Sequence, residues 1–226
     1  MTEKAVILLS GGLDSSTVLY QAQADGCECY ALSFDYQQRH QRELEAARQI
    51  AQAAGVTQKI VSFDLGLWGG SALTDRAIEV PQNRRSEEMA SSIPITYVPA
   101  RNTIFLSFAL AYAEAISAQR VYLGVNALDY SGYPDCRPDY IEAMQKVFAL
   151  GTKQGREGSP IAIVTPLIDL KKTEIIQLGN QLKVPWEKTW SCYQGGEKPC
   201  GVCDSCQLRL NAFHELGLTD PLTMNY

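Results

Sequence analysis

The sequence predicts an α/β protein built on an open, mostly parallel, doubly wound sheet, with a cysteine-rich module at the C-terminal end. Three observations carry that prediction. Five short apolar runs alternate with stretches of helical spacing, polar and glycine-bearing segments follow the strand-like runs, and four cysteines crowd between positions 192 and 206. A chain of 226 residues, 46% apolar and 20% charged, suits one sizeable domain with an appendage. Its net charge of -5 argues against a broad nucleic-acid-binding face, so no stable nucleic-acid binding is expected. The N-terminus shows no basic-then-apolar leader and no stretch long enough to span a bilayer, which points to the cytoplasm and away from membranes.

The first strand, 5–9, stops at Ser10-Gly11-Gly12-Leu13-Asp14-Ser15, and helical text resumes at Ser16. Adjacent glycines admit an anion to the backbone, serine hydroxyls add donors, and a following helix presents unpaired N–H groups. The turn therefore reads as a phosphate site. Asp14 opposes phosphate unless a divalent cation is bound beside it. The loop lacks the Lys of a Walker A turn and the glycine spacing of a dinucleotide fingerprint. SGGLDS instead resembles the loop of ATP-pyrophosphatases, enzymes that activate a substrate by adenylation.

Helical spacing follows over 16–23, then a strand over 29–34. At its C-terminal end, where open parallel sheets bind ligands, stand Arg39 and His40; each reads equally well as an anion contact or a brace for the next helix, 41–54. A third strand is expected over 59–63. Residues 65–94 mix Gly, Pro and Arg with short apolar words, predicting a long excursion, either a lid or a plain loop, with a small helix near 86–90. A helix over 103–118 takes Asn102 as its N-cap and Arg101 as an anion-holding neighbour. The strand 120–124 leads into a polar and aromatic segment, 124–137, Pro138 opens a helix to about 150, and a fifth strand spans 161–164. The last long helix, 169–182, carries Lys171 and Lys172 near its start.

Cys192, Cys200, Cys203 and Cys206 offer four soft ligands at short spacing, with glycines and Pro199 to turn the backbone. A closed zinc site is the preferred reading, structural and one per chain; an iron–sulfur cluster stays open on spacing alone. Residues 1–185 are thus read as a nucleotide-binding domain and 186–226 as a zinc module packed on it.

Taken together, SGGLDSS at 10–16, FDYQQRH at 34–40, VPARN at 98–102, GVNALDYSGYPDCRP at 124–138, TPL at 165–167 and the cysteines resemble the 7-cyano-7-deazaguanine synthase family of the queuosine precursor pathway. The resemblance runs nearly end to end. It implies a fold of the adenine nucleotide alpha hydrolase-like class and conversion of 7-carboxy-7-deazaguanine and ammonia to the nitrile with ATP. It also implies zinc, magnesium with the nucleotide, and a homodimer.

On this resemblance the nucleotide is held by the strand end Leu8 and Leu9, by the turn Ser10, Gly11, Gly12, Leu13, Asp14 and Ser15, and by Ser16, Thr17 and Val18. Asp14 would orient magnesium. Arg39, His40, Arg101, Lys171 and Lys172 are candidates for charge on the transferring phosphoryl group or the substrate carboxylate. Asn126, Asp129 and Asp135 would read the base edge, Tyr130 or Tyr133 would stack on it, and Arg137 would touch substrate or pair with Asp135. Two alternatives stay open: a tRNA sulfur-insertion enzyme with related adenylation chemistry, and a non-catalytic nucleotide-sensing or RNA-binding zinc protein.

Overall fold

Alternation along the first apolar run decides what each face of the sheet receives. In the computed structural model, which describes residues 2–84, 88–89, 92–127 and 132–224, the strands are β1 (Lys4–Leu8), β2 (Glu28–Asp35), β3 (Thr57–Ser62), β4 (Arg120–Tyr122) and β5 (Ala162–Val164). All pair in parallel, in the spatial order β3-β2-β1-β4-β5. Val6 and Leu8 enter one core; Ala5, Ile7 and Leu9 enter the other, as the two-residue strand period requires. Both faces of the central strand are therefore apolar, which is the mark of a sheet covered on both sides.

The helices supply those covers. They are α1 (Leu13–Ala24), α2 (Arg42–Ala53), α3 (Arg101–Ala115), α4 (Pro138–Gly151), α5 (Lys172–Gln181) and α6 (Asp204–Glu215). Leu106, Ala109 and Ala113 of α3 and Ile141, Met144 and Phe148 of α4 pack on the Val6 and Leu8 side. Val18, Leu19 and Ala22 of α1, Ala47 and Ile50 of α2, Ile175 and Ile176 of α5 and Phe213 of α6 fill the other. The doubly wound architecture is as the alternation of runs predicts.

Of the boundaries that differ from the sequence reading, three have a local reason in the contacts around the turn and the switch point. Helix α1 begins at Leu13 rather than Ser16, because the Ser16 N–H already donates to the Gly12 carbonyl at 3.1 Å. Helix α3 begins at Arg101, so Asn102 is not the N-cap; Ala100, with φ of 55°, holds that position. Asn102 instead gives its backbone N–H to Asp135 Oδ2 at 3.1 Å, and a distant carboxylate caps the helix. Strand β4 ends at Tyr122, before Gly124, where a Cβ would lie 3.1 Å from the Ser15 nitrogen.

The described part of the excursion is tied down at several points. Ser71, Ala72 and Leu73 are buried, and Gln82 forms an antiparallel bridge with Cys203. The Asn83 N–H donates to the Val202 carbonyl at 2.8 Å, and Arg84 pairs with Asp204. The small helix expected near 86–90 falls largely outside the described residues. Toward the C-terminus, buried Arg209 holds Asp220 through Nε at 2.6 Å and Nη2 at 2.8 Å, and donates to Thr189 Oγ1 at 2.7 Å. One guanidinium thus fastens the tail to the segment that carries Trp190 and Ser191. No helix among the described residues is long and apolar enough to cross a membrane.

Candidate active site

Strand order reverses between β1 and β4, and such a reversal leaves a crevice outside the strands' C-terminal ends. The main cavity lies there. Its walls come from the β1–α1 turn, from Phe34 and Tyr36 at the end of β2, from α2 through Glu43 and Leu44, and from α3 through Arg101, Asn102 and Phe105. Residues 123–126, Tyr133, Cys136, Lys172 and the C-terminal Trp190, Ser191 and Tyr193 complete them.

The two turn glycines do different jobs. Gly11 has φ of 84°, and a Cβ there would meet the Ala47 nitrogen at 2.4 Å and the Glu43 carbonyl oxygen at 2.5 Å, so it is glycine because α2 packs against it. Gly12 faces the cavity with φ of -78°, and a Cβ there would meet nothing nearer than 3.4 Å. Gly12 thus leaves the cavity side of the turn bare by lacking a side chain, not by an unusual backbone. Ser10 Oγ and Ser15 Oγ lie 3.0 Å apart and share one hydrogen bond, holding the turn open. The Ser16 hydroxyl is buried and has no partner among the described residues. Leu8, Leu9, Leu13, Asp14 and Ser15 line the cavity, whereas Thr17 and Val18 are buried, with Thr17 Oγ1 donating to the Leu13 carbonyl at 2.9 Å.

Charge is arranged on two sides of the cavity. Lys172 Nζ, in the first turn of α5, donates to Asp14 Oδ1 at 2.8 Å and Oδ2 at 2.9 Å. Arg101 also lines the cavity, with the phenols of Tyr36 and Tyr133 beside it. Burial works against its charge, but Tyr36, Tyr133, Asp135 and Cys136 outweigh that and hold its pKa above the ordinary guanidinium value. Tyr36 accepts a hydrogen bond from Arg101, while burial pushes its own pKa up to about 12. Among the described residues no carboxylate lies within ion-pair distance of Arg101, so a cation stands in the cavity wall unmatched by a close anion. Burial likewise raises Glu43 to about 7, against the pull of Arg101.

Other residues singled out in the sequence occupy different places. Arg39 Nη1 donates to the Ala72 and Ile78 carbonyls at 3.0 and 2.9 Å and so braces the excursion, a segment that neither the anion-contact nor the helix-brace reading named. His40 packs beneath Gly195, hydrogen-bonded to the Cys192 backbone; burial lowers its pKa, and its Nδ1 has no partner among the described residues. Lys171 is exposed ahead of α5, where its N–H donates to Glu174 Oε2 at 2.7 Å. Asn126 lines the cavity but sends its amide to the Leu167 carbonyl at 3.1 Å and to the Leu170 carbonyl. Tyr133 also lines it, its hydroxyl 2.8 Å from Thr96 Oγ1. Asp135 serves the α3 N-terminus, and Arg137 is exposed ahead of α4. Asp129 and Tyr130 lie outside the described residues.

Sequence reasoning did not single out Glu43, Phe105 or Tyr36 as site residues. Glu43 sits one position before Leu44 on an amphipathic helix and reads as a solvent-facing acid. The packing of α2 against Gly11, through the Ala47 nitrogen and the Glu43 carbonyl oxygen, brings this turn of the helix to the cavity wall.

The four C-terminal cysteines converge. Their sulfurs lie within 4.8 Å of one another, and those of Cys200 and Cys206 are 4.0 Å apart. Four thiolates around a tetrahedral ion with metal–sulfur bonds of about 2.3 Å would stand at about this separation. Backbone N–H groups of Gln194 and Cys200 point at the Cys192 sulfur from 3.4 and 3.3 Å, and that of Cys203 points at Cys200 from 3.3 Å. Hydrogen bonds from the Cys203 and Cys206 thiols hold the Cys192 thiol well below its usual range. Donor set and geometry fit a metal such as zinc. The segment that carries Cys192 is joined to the turn at residues 10–15, because the Trp190 backbone N–H donates to the Gly11 carbonyl at 2.9 Å.

A five-stranded parallel sheet with this Ser-Gly-Gly-Leu-Asp-Ser turn at its switch point, together with a group of four cysteines able to hold a metal, defines a doubly wound α/β protein with a C-terminal metal-capable centre. A solved 4-thiouridine synthetase in complex with RNA and bound ATP shares the fold, at TM-score 0.52 and 19% identity over 80% of this chain and 41% of that one. More particularly, the chain belongs to the family described as queuosine biosynthesis protein QueC, whose profile matches residues 4–217. A 7-cyano-7-deazaguanine synthase from Trichodesmium erythraeum is 78% identical over 220 residues, 97% of this chain and 99% of that protein. One from Thermoplasma acidophilum is 58% identical over 221 residues, 97% and 91% respectively.

Proposed function

We propose that this protein converts 7-carboxy-7-deazaguanine and ammonia to 7-cyano-7-deazaguanine at the expense of ATP. The observation that carries the reading is that the phosphate turn and the unmatched Arg101 open into one aromatic-walled cavity, in a member of this family. A substrate carboxylate drawn to Arg101 is thereby placed beside the nucleotide phosphates.

The substrate's own carboxylate oxygen attacks the α-phosphorus, and pyrophosphate leaves along the Ser10 to Ser15 turn, where Gly12 leaves its backbone exposed. Ammonia then attacks the acyl carbon, AMP leaves and an amide forms. Adenylation of the amide oxygen by a second ATP, followed by loss of the nitrogen protons and AMP, yields the nitrile. No protein nucleophile is required. Lys172 holds Asp14 and sits where phosphate charge develops. Magnesium brought with the nucleotide would meet Asp14 and offset that charge. The reading also includes zinc at the four cysteines, a homodimer and a cytoplasmic location.

Incubation of purified protein with the carboxylated base, ammonium and magnesium-ATP tests it. The nitrile, identified by mass, with AMP released in step with it, is the expected result. ATP turnover that ignores the base would overturn the reading.

A further inference from the structure

We propose that Glu43 reads the 2-amino-4-oxo edge of the base, accepting its ring N–H and exocyclic amino group in the two oxygens of one carboxylate. The inference rests on the function proposed above and assigns the specificity of that same cavity.

Two acids line the cavity among the described residues, Asp14 and Glu43. Asp14 is held by Lys172 on both its oxygens and is the carboxylate the proposed function assigns to magnesium, so it is not the one left for the base. Asp135, which the sequence offers as a base reader, is spent on the Asn102 N–H. Glu43 makes no hydrogen bond and no ion pair among the described residues, although it is desolvated enough to be raised to about 7. A carboxylate in that setting is costly until donors meet it.

The position of Arg101 decides what kind of donor molecule fits. It is near enough to lower the Glu43 pKa, yet the two are beyond ion-pair distance. Between an acceptor and a cation that both line one cavity, a ligand with adjacent N–H donors at one end and a carboxylate at the other completes both charges. Tyr36, Phe105, Trp190 and Tyr193 line the same cavity and offer it aromatic surface that suits a flat heterocycle. A 7-carboxylated 2-amino-4-oxo deazapurine has this polarity, with the donor edge on its six-membered ring and the carboxylate on its five-membered ring.

The test compares Glu43→Gln with wild type on two substrates, the carboxylated base and its analogue lacking the 2-amino group. Glu43→Gln should raise KM for the true base by roughly 30- to 100-fold while KM for ATP and for ammonium moves by less than about 3-fold. Wild type should disfavour the analogue by about 10-fold or more, and the variant should lose that preference. Retained discrimination in Glu43→Gln overturns the assignment, as does a rise confined to the ammonium KM, which would make Glu43 an ammonia site. Glu43→Asp, which keeps the charge but draws it back, should fall between the two, and circular dichroism with zinc content checks that both variants fold. Glu45→Gln, exposed on the same helix, is the control with unchanged kinetics. If wild type makes no nitrile, the proposed function itself fails; if wild type does and Glu43→Gln matches it, only the role of Glu43 fails.

Discussion

Lys172 spans 158 positions of sequence to place its ammonium on both oxygens of Asp14, at 2.8 and 2.9 Å. The pair sits in the cavity wall with side chains only 10% and 19% exposed, so neither charge is well solvated when the other is removed.

Asp14→Asn should keep the fold, because the amide still offers Lys172 an acceptor, at a stability cost on the order of 1–3 kcal/mol. Turnover should fall by about 100-fold or more. Circular dichroism and zinc content set beside the rate of nitrile formation check both halves, and a fully active variant would remove Asp14 from the chemistry.

The two glycines of the turn should separate stability from nucleotide binding. Gly11→Ala puts a side chain on a residue with φ of 84° and must displace the Ala47 and Glu43 backbone, and is expected to cost about 3 kcal/mol or more. Gly12→Ala meets ordinary contact distances, so its Tm should shift little while ATP affinity drops. Thermal melts with a nucleotide titration decide it; equal destabilisation by both would contradict the division of roles.

Removal of the metal should reach the phosphate turn. The chain is expected to carry about one zinc and no colour, since a closed four-thiolate zinc site is redox-inert. Chelation frees the segment whose Trp190 N–H holds Gly11 and whose Cys203 pairs with Gln82. Tm and ATP affinity should therefore fall together, followed by melting and titration of the chelated protein. Bound iron with a brown chromophore would contradict the zinc assignment.

Thiol labelling should rank the remaining cysteines. Burial pushes Cys29 and Cys136 up to about 12, aided at Cys136 by the Asp135 charge. At pH 8 each is then thiolate to an extent on the order of 1 in 10,000, because a raised pKa keeps the proton on until the pH approaches it. The zinc-loaded protein should take its first alkyl group at half-buried Cys27, read by peptide mass. Early modification of Cys136 would show that the cavity wall opens.

Much of the frame was legible because its signals are local. The apolar run of β1, the turn after it and the two-residue spacing of Cys200, Cys203 and Cys206 all act within a few positions, where strand period and ligand geometry leave few solutions. The site was legible only in outline. Arg39 and Arg101 look alike in sequence, each following a strand-like or turn segment, yet one braces carbonyls of the excursion and the other faces the cavity.

By itself, the sequence determined the doubly wound parallel class, the position of the turn at residues 10–15 between strand and helix, and the identity of the metal-capable thiols. Tertiary structure decided that Asp135 caps α3 instead of facing the cavity, that Lys172 meets Asp14, and that Glu43 lines the cavity. The physical reason is separation along the chain. Each of these contacts joins elements that meet only when strand ends and helix N-termini converge at the switch point, and no periodicity within one element records where its neighbour will dock.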